Sequence, residues 1–437
     1  MPFGLSPRFG ICWLRVVKRA VPCLVLAFLS TAAAAASPFA RDTGPRTEVE
    51  ARVAAQLRHF PREGVLGQAE VHPSLAVEFE LYREWSQGAD RITVLPFYRH
   101  DLRDPRRRHG DLREAYYSHV GEGFELHAGL RRVFWGQTES KHLVDVLNQV
   151  DLIENVDEKQ RLGQPMVSLV LGRSWGVFEA HLLPGFRERT FPSTDGRLAG
   201  PFVIERPRRG IRRVVSGRTD WALRWSHLIG DLELALAWFD GTNREPGFEV
   251  TGLPDGADRD APIRLSPVYG SMRQASLDAQ YIAGDWAWKL EALTRSGDLP
   301  GHTAFVAGFE RTLVGVFSTR RDIGLLAEYL HDDRGRDTPL LSFASDIFLG
   351  IRLALNDMAD TDLLAGAIVD HRSGRQIYSV EANTRLGVHT RLRLEARAFT
   401  GTETLRPGVF ADLTDPDRRW GAITRDDYVQ FELTRFF

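Results

Sequence analysis

The last ten residues, Tyr428 to Phe437, alternate along the chain: Val429, Phe431, Leu433 and Phe437 fall on one side, and Gln430, Glu432 and Thr434 on the other. A β-strand sends successive side chains to opposite faces, so a period of two reads as a strand with one apolar and one polar face. The same period recurs upstream. Leu75, Val77, Phe79 and Leu81 bracket Glu78 and Glu80, and Trp221, Leu223 and Trp225 bracket Arg224. Leu232, Leu234, Leu236 and Trp238 bracket Glu233, while Trp286, Trp288, Leu290 and Ala292 bracket Lys289 and Glu291. Ile347, Leu349, Ile351 and Leu353 flank Gly350 and Arg352, and Leu392, Leu394, Ala396 and Ala398 alternate with Arg391, Arg393, Glu395 and Arg397. The fold class is therefore all-β.

A half-buried soluble sheet also alternates. Two features point instead to strands whose apolar face meets hydrocarbon. The alternating segments run to about 9–11 residues, the length a tilted strand needs to cross a bilayer. Aromatic residues such as Trp135, Trp175, Tyr281, Trp286, Tyr329, Tyr378, Phe399 and Tyr428 cluster near segment ends, where amphipathic rings suit a lipid–water boundary. Connections alternate between short Gly-rich turns (Gly230-Asp231, Gly284-Asp285) and long stretches near 136–164, 184–219, 240–271, 332–345 and 400–427. That rhythm predicts a transmembrane antiparallel β-barrel.

Residues 1–36 read as a secretory signal peptide. Arg8, Arg15, Lys18 and Arg19 precede a short apolar run from Ala20 to Ser30, and Ala34-Ala35-Ala36 before Ser37 fits a cleavage site. Ala20-Val21-Pro22 makes a poor lipobox for Cys23. Both cysteines, Cys12 and Cys23, fall inside this leader. The remainder has no thiol for a disulfide, a zinc–cysteine site, an Fe–S cluster or a cysteine nucleophile. The whole chain carries 56 Lys+Arg against 58 Asp+Glu, a balance that gives no electrostatic footprint for nucleic acid.

A final strand ending on a free aromatic carboxylate resembles the C-terminal strand of bacterial outer-membrane β-barrels, which the barrel-insertion machinery reads. Arg131 to His142, with Trp135-Gly136-Gln137-Thr138-Glu139-Ser140-Lys141 inside it, and Pro184 to Pro192 resemble stretches of uncharacterised porin-like outer-membrane proteins of Gram-negative bacteria. The resemblance implies a barrel in the cell outer membrane and supplies no functional residues. Counting back from Phe437 gives about 17 strands from Ser74 onward, and single-chain bacterial barrels have even numbers. Val65 to Val71 is the expected extra strand. The expectation is 18 strands over 65–437, or 16 if one pair is a loop hairpin. Residues 37–64 then form a periplasmic or lumenal arm, in which Val49, Val53 and Leu57 could make one helical face.

The expected function is a porin-like channel for passive diffusion of small hydrophilic, anionic solutes. The alternatives are a structural or adhesive barrel with a plugged lumen and, less favoured, an outer-membrane hydrolase. With the apolar face in lipid, the pore-lining candidates are Arg391, Arg393, Arg397, Arg385, Arg352, Arg224, Lys289 and Glu291, since charged rings tune pore selectivity. Arg391, Arg393 and Arg397 are the best anion-favouring wall. Residues 138–150 could form a short helix, and a loop of that size is expected to fold inward as a constriction carrying Leu143, Asp145, Val146, Asp151 and Glu154. Asp157 and Glu158 extend its acidic set, whose spacing matches no EF-hand; it reads as a solvated acidic loop, with no metal and no cofactor. Arg103, Arg106, Arg107 and Arg108, and also Arg206, Arg208, Arg209, Arg212 and Arg213, could pair with lipopolysaccharide phosphates. His119, His127, His142, His181 and His227 are scattered along the chain, and no G-x-S-x-G elbow is present.

Overall fold

The computed structural model describes residues 44–205, 218–254, 261–334, 342–418 and 420–437. The leader and the Arg206–Arg213 cluster lie outside the described residues. The sheet is built from β1 (Arg46–His59), β2 (Val71–Trp85), β3 (Asp90–Asp101), β4 (His109–Gly121), β5 (Phe124–Arg131), β6 (Gln164–Arg173) and β7 (Gly176–Leu183). After the short β8 (Phe202–Ile204) come β9 (Asp220–Ile229), β10 (Leu232–Thr242), β11 (Gly247–Gly252), β12 (Ile263–Val268), β13 (Ser271–Ala283) and β14 (Trp286–Gly297). The remaining strands are β15 (His302–Leu313), β16 (Asp322–Asp332), β17 (Ser345–Ala354), β18 (Asp362–Asp370), β19 (Gln376–Arg385), β20 (Thr390–Thr400) and β21 (Tyr428–Phe436). All but β8, β11 and β12 belong to one 18-stranded antiparallel sheet, each strand bonded to the next. β1 closes it by pairing with both β2 and β21, in register from Arg52↔Phe436 to His59↔Val429.

The strand total matches the expectation, but one strand lies elsewhere. Residues 46–59 are not an arm and carry no helix; they are β1. Residues 61–70 form an irregular connection instead of the expected strand at Val65–Val71. The physical reason is a shared spacing. Val49, Val53 and Leu57 lie four apart, which fits one helical face and one strand face equally well. The alanines between them, Ala51 and Ala55, weaken the period-two signal. In the structure all five share the outward face, and Val49 is exposed.

The start of β1, the end of β21 and the tight turns lie at one end of the barrel, the terminal end. The Gly-Asp turns after β9 and β13 place Gly230 and Gly284 at φ +61 and +60, a conformation that glycine adopts without steric cost and that hairpins require. The long connections lie at the other end, the loop end. The outward faces are apolar and exposed, as at Leu75, Phe79, Leu236, Trp288, Leu349 and Phe431. Trp286 and Trp288 stack with ring centroids 5.7 Å apart near the terminal end.

The buried core lies inside the ring. β8, β11 and β12 form a three-stranded sheet from two of the long connections. Its Phe202, Ile204, Ile263 and Leu265 join Phe60, Trp420 and the inward-facing Ile377, Phe399 and Tyr428 in one apolar cluster. A second cluster holds Val306, Leu326, Leu330 and Phe348 of β15–β17. The lumen wall is thus not uniformly polar. Near the loop end β15–β19 carry apolar residues such as Val306, Leu330, Phe348 and Ile377 on the inward face as well, among the buried carboxylates Glu328, Asp332 and Asp346, which blurs the alternation there.

An outward apolar face in hydrocarbon predicts a specific cost. Leu394→Arg, on the outward face of β20, should destabilise the barrel by about 2–4 kcal/mol, the penalty for a cation near the bilayer midplane. Reversible denaturant unfolding in lipid vesicles measures it; a change near zero would contradict a lipid-facing β20.

Candidate functional site: the lumen and its inward loop

The connection between β5 and β6, residues 132–163, enters the lumen and is held from every side. At its root, Asn148 is fully buried. Its Nδ2 donates to Arg131 O at 2.8 Å and Leu162 O at 2.9 Å, and its Oδ1 accepts from Val133 N at 2.8 Å. One side chain therefore ties both ends of the loop together. Val144, Val146 and Leu147 then pack with the loop's own Trp135 and with Met166, Leu183, Ala222, Phe239 and Met272 of the inner wall.

The far side is held by carboxylates on the wall. Glu291 of β14 is fully buried. It accepts the backbone N–H groups of Gln137 (2.8 Å), Thr138 (3.0 Å) and Val144 (3.2 Å), and the Thr138 hydroxyl (2.7 Å). Glu328 of β16 accepts the N–H groups of Glu139 and Ser140 at 2.7 and 2.8 Å. The expected helix over 138–150 does not form. Its N–H groups go to wall carboxylates, whose charge-assisted bonds are roughly twice as strong as neutral ones.

The loop's own acids face the opposite wall. Arg99 Nε of β3 donates to both oxygens of Glu154 at 3.1 and 3.0 Å, and His109 stands 3.1 Å from Glu154 Oε1. Asn155 Nδ2 donates to Glu395 of β20 at 2.9 Å. Asp157 pairs with Arg397, Lys159 with Glu381, Glu158 with Lys141, and Asp145 with Arg161. Thr190 donates to Asp151 at 2.6 Å. The acidic set is therefore partnered rather than solvated: wall arginines hold Glu154 and Asp157, the loop's own Lys141 and Arg161 hold Glu158 and Asp145, and Thr190 holds Asp151. The environments differ. Burial pushes the Asp145 carboxyl up from its ordinary value despite Arg161. Burial also opposes ionisation of Glu154, but Arg99, His109, Arg107 and Arg113 hold it well below the ordinary 4.5.

The proposed pore-lining residues separate into groups. Arg391 and Arg393 line a polar cavity of about 490 Å³ on the terminal-end side of the loop. Arg391 has no ion-pair partner among the described residues, while Arg393 reaches Glu381 and Glu395 at 3.5 and 3.4 Å. Arg385 faces Asp360 at the terminal end. The other candidates are committed to structure. Arg397 is buried among Glu395, Glu381, Asp157 and the Tyr428 hydroxyl. Arg352 pairs with Glu139 of the loop, Arg224 with Asp278 and Glu179, and Lys289 with Glu310. Leu143 packs beside the Val306–Phe348 cluster.

Asn148, Glu328, Arg99 and Arg113 were not legible as site residues. Their only sequence signal is inward register on a strand, or polarity inside the loop. The basic cluster after β3 is also committed: Arg107 is buried against Asp101, and Arg106 donates to Ile204 O and Pro192 O. Two histidines that are scattered in sequence meet serines in space. Ser118 and His127 lie 2.7 Å apart, and Ser168 and His181 lie 2.8 Å apart. Glu125 and Glu179 stand 3.4 and 3.3 Å from the other imidazole nitrogens. Ser168 is 0% and His181 1% exposed, so this pair is buried in the wall.

The class these features define is a closed eighteen-stranded barrel with an inward loop. No family model matches the chain, and no curated protein matches it. Among solved structures it is similar to three proteins of Pseudomonas aeruginosa. OccK11 (OpdR) has a TM-score of 0.51 at 10% identity over 90% of this chain and 96% of that one. OccD3 (OpdP) has 0.50 at 10% identity over 90% and 91%, and OccK3 (OpdO) 0.50 at 10% identity over 90% and 95%. At that identity the likeness is one of fold.

Two outcomes follow for the loop. Glu291→Ala strips acceptors from buried N–H groups, each worth about 1–3 kcal/mol when left unpaired. Trypsin should then cut at Lys141 or Lys159 in the variant's folded barrel but not in the parent; equal protection in both would remove Glu291 as an anchor. Glu154, with its folded pKa depressed, contributes docking above the ordinary 4.5 and loses it only as pH falls through the lowered value. Hydrogen-exchange protection factors over 150–160, taken relative to the intrinsic amide rate at each pH, should be unchanged between pH 7 and 5 and should fall only well below 4.5.

Proposed function

We propose that the protein is an outer-membrane channel for passive diffusion of small hydrophilic solutes, with a preference for anions on its terminal-end side. The observation that carries this is the lumen: a closed barrel with an apolar exterior encloses a charged interior narrowed by an inward loop. Barrels of 16–18 strands are wide enough to hold water. The cavity beneath the loop is lined by six arginines (Arg52, Arg58, Arg99, Arg113, Arg391, Arg393) and four carboxylates (Glu78, Glu154, Glu395, Glu432). The excess is cationic, and fixed charge of one sign enriches solutes of the other. Arg391, exposed and without an ion pair among the described residues, is the strongest contributor. The lipopolysaccharide role rests on Arg103 and Arg108, which are exposed at the loop end although they donate to Val71 O and Asp101 O; Arg106 and Arg107 lie deeper and are spent on internal bonds.

A second reading has one observation in its favour. The three-stranded sheet and its apolar cluster occupy the loop end of the lumen, as a plug would. Conductance separates the two readings.

Single-channel recording in planar bilayers should show discrete steps, with a reversal potential under a KCl gradient on the chloride side. Arg391→Ala with Arg393→Ala should move it toward zero, and deleting Val144–Gln160 should raise conductance severalfold in a barrel that still shifts on heating in gels. Absence of conductance in folded protein would favour the plug.

A further inference from the structure

Above the inward loop, on the loop-end side, lies a second cavity of about 180 Å³. Its chemistry is unlike that of the arginine-rich cavity below. Leu152 and Val156 of the loop, Phe191 and Phe343 of the long connections, and Phe348 and Ile368 of the wall give it apolar surfaces. The Phe348 ring lies against two glycines: a Cβ on Gly350 or Gly366 would come within 2.7 or 2.5 Å of it. Side chains there would force the ring off the wall and into the cavity.

Charge at the rim is balanced. The lining holds four carboxylates (Glu139, Asp157, Glu158, Glu381) and four cations (Lys141, Lys159, Arg189, Arg397). Glu139 is held by Arg352, Asp157 by Arg397, Glu158 by Lys141, and Glu381 by Lys159 at 3.1 Å. Arg189 donates to Gln149 Oε1 at 3.3 Å and Arg244 O at 3.0 Å. A charged guest seated at Asp157–Arg397, Glu158–Lys141 or Glu381–Lys159 would compete with a standing ion pair, at greatest cost at the buried Asp157–Arg397 pair. An uncharged guest leaves them intact. Its hydroxyl can donate to Glu381 and accept from Lys159 at the same time.

Size narrows the guest further. An apolar cavity of about 150 Å³ accommodates benzene, so this one fits a single six-membered ring with small substituents. We propose that the loop-end cavity is a binding site for compact, uncharged ring compounds bearing hydroxyl groups, of the simple phenol class. This names a solute class for the channel proposed above and rests on that reading, but the site can be tested without conduction.

The probe is resorcinol, neutral at pH 7, titrated calorimetrically into the detergent-purified full chain beside benzoate and glucose. Resorcinol should bind saturably, and both comparators should bind about tenfold more weakly or not at all. Benzoate binding as tightly as resorcinol, or glucose exceeding it, would overturn the proposal on the unaltered protein alone. Ile368→Phe and Leu152→Trp, which fill the cavity from wall and loop, should each reduce resorcinol affinity at least about tenfold; undiminished binding in either folded variant would also overturn it. Resorcinol binding in a protein that conducts no ions would uphold the site and refute the channel.

Discussion

Hydrogen bonding between β1 and β21 is what the rest of the structure depends on. An open sheet of this size would present two edges of unpaired N–H and C=O groups, which hydrocarbon cannot satisfy. Pairing Arg52–His59 with Val429–Phe436 closes the two edges on each other, and the Phe437 N–H reaches Ala51 O at 2.9 Å. The first and last strands of the chain therefore complete each other. Closure also creates the enclosed space in which every later feature is set.

That enclosed space changes the chemistry of its contents. A loop rich in aspartate and glutamate would be solvated on an open surface. Inside the ring it meets arginines projecting from the opposite wall, while its N–H groups meet Glu291 and Glu328. Both walls are used, one cationic toward the loop's acids and one anionic toward its backbone. The loop is pinned across the lumen by complementary charge, with its apolar residues sealing one side. It divides the interior into a polar, arginine-rich part near the termini and an apolar, charge-balanced part near the long connections.

The same arrangement redistributes the charges that a strand pattern presents as equivalent. Arg391 and Arg397 both have inward register on β20. Arg391, near the terminal end, meets open cavity; Arg397, level with the loop, is buried among three carboxylates and a tyrosine hydroxyl. Register alone cannot tell them apart, because the difference lies in what crosses the lumen at each height. For the same reason Asn148 and Glu328 gave no sign of their roles: each acts on backbone groups that become neighbours only after closure.

The sequence by itself determined the strand period, the all-β class, the inward and outward faces of most strands and the alternation of short and long connections, and it narrowed the strand total to 18 or 16. Each is a local consequence of side-chain alternation and turn chemistry. Only the tertiary structure decided that residues 46–59 form the closing strand, since a four-residue spacing suits helix and strand alike. It also decided that the loop abandons its helical periodicity for wall carboxylates, and which lumenal charges are spent on one another. Those outcomes depend on contacts between residues hundreds of positions apart, and no local pattern encodes them.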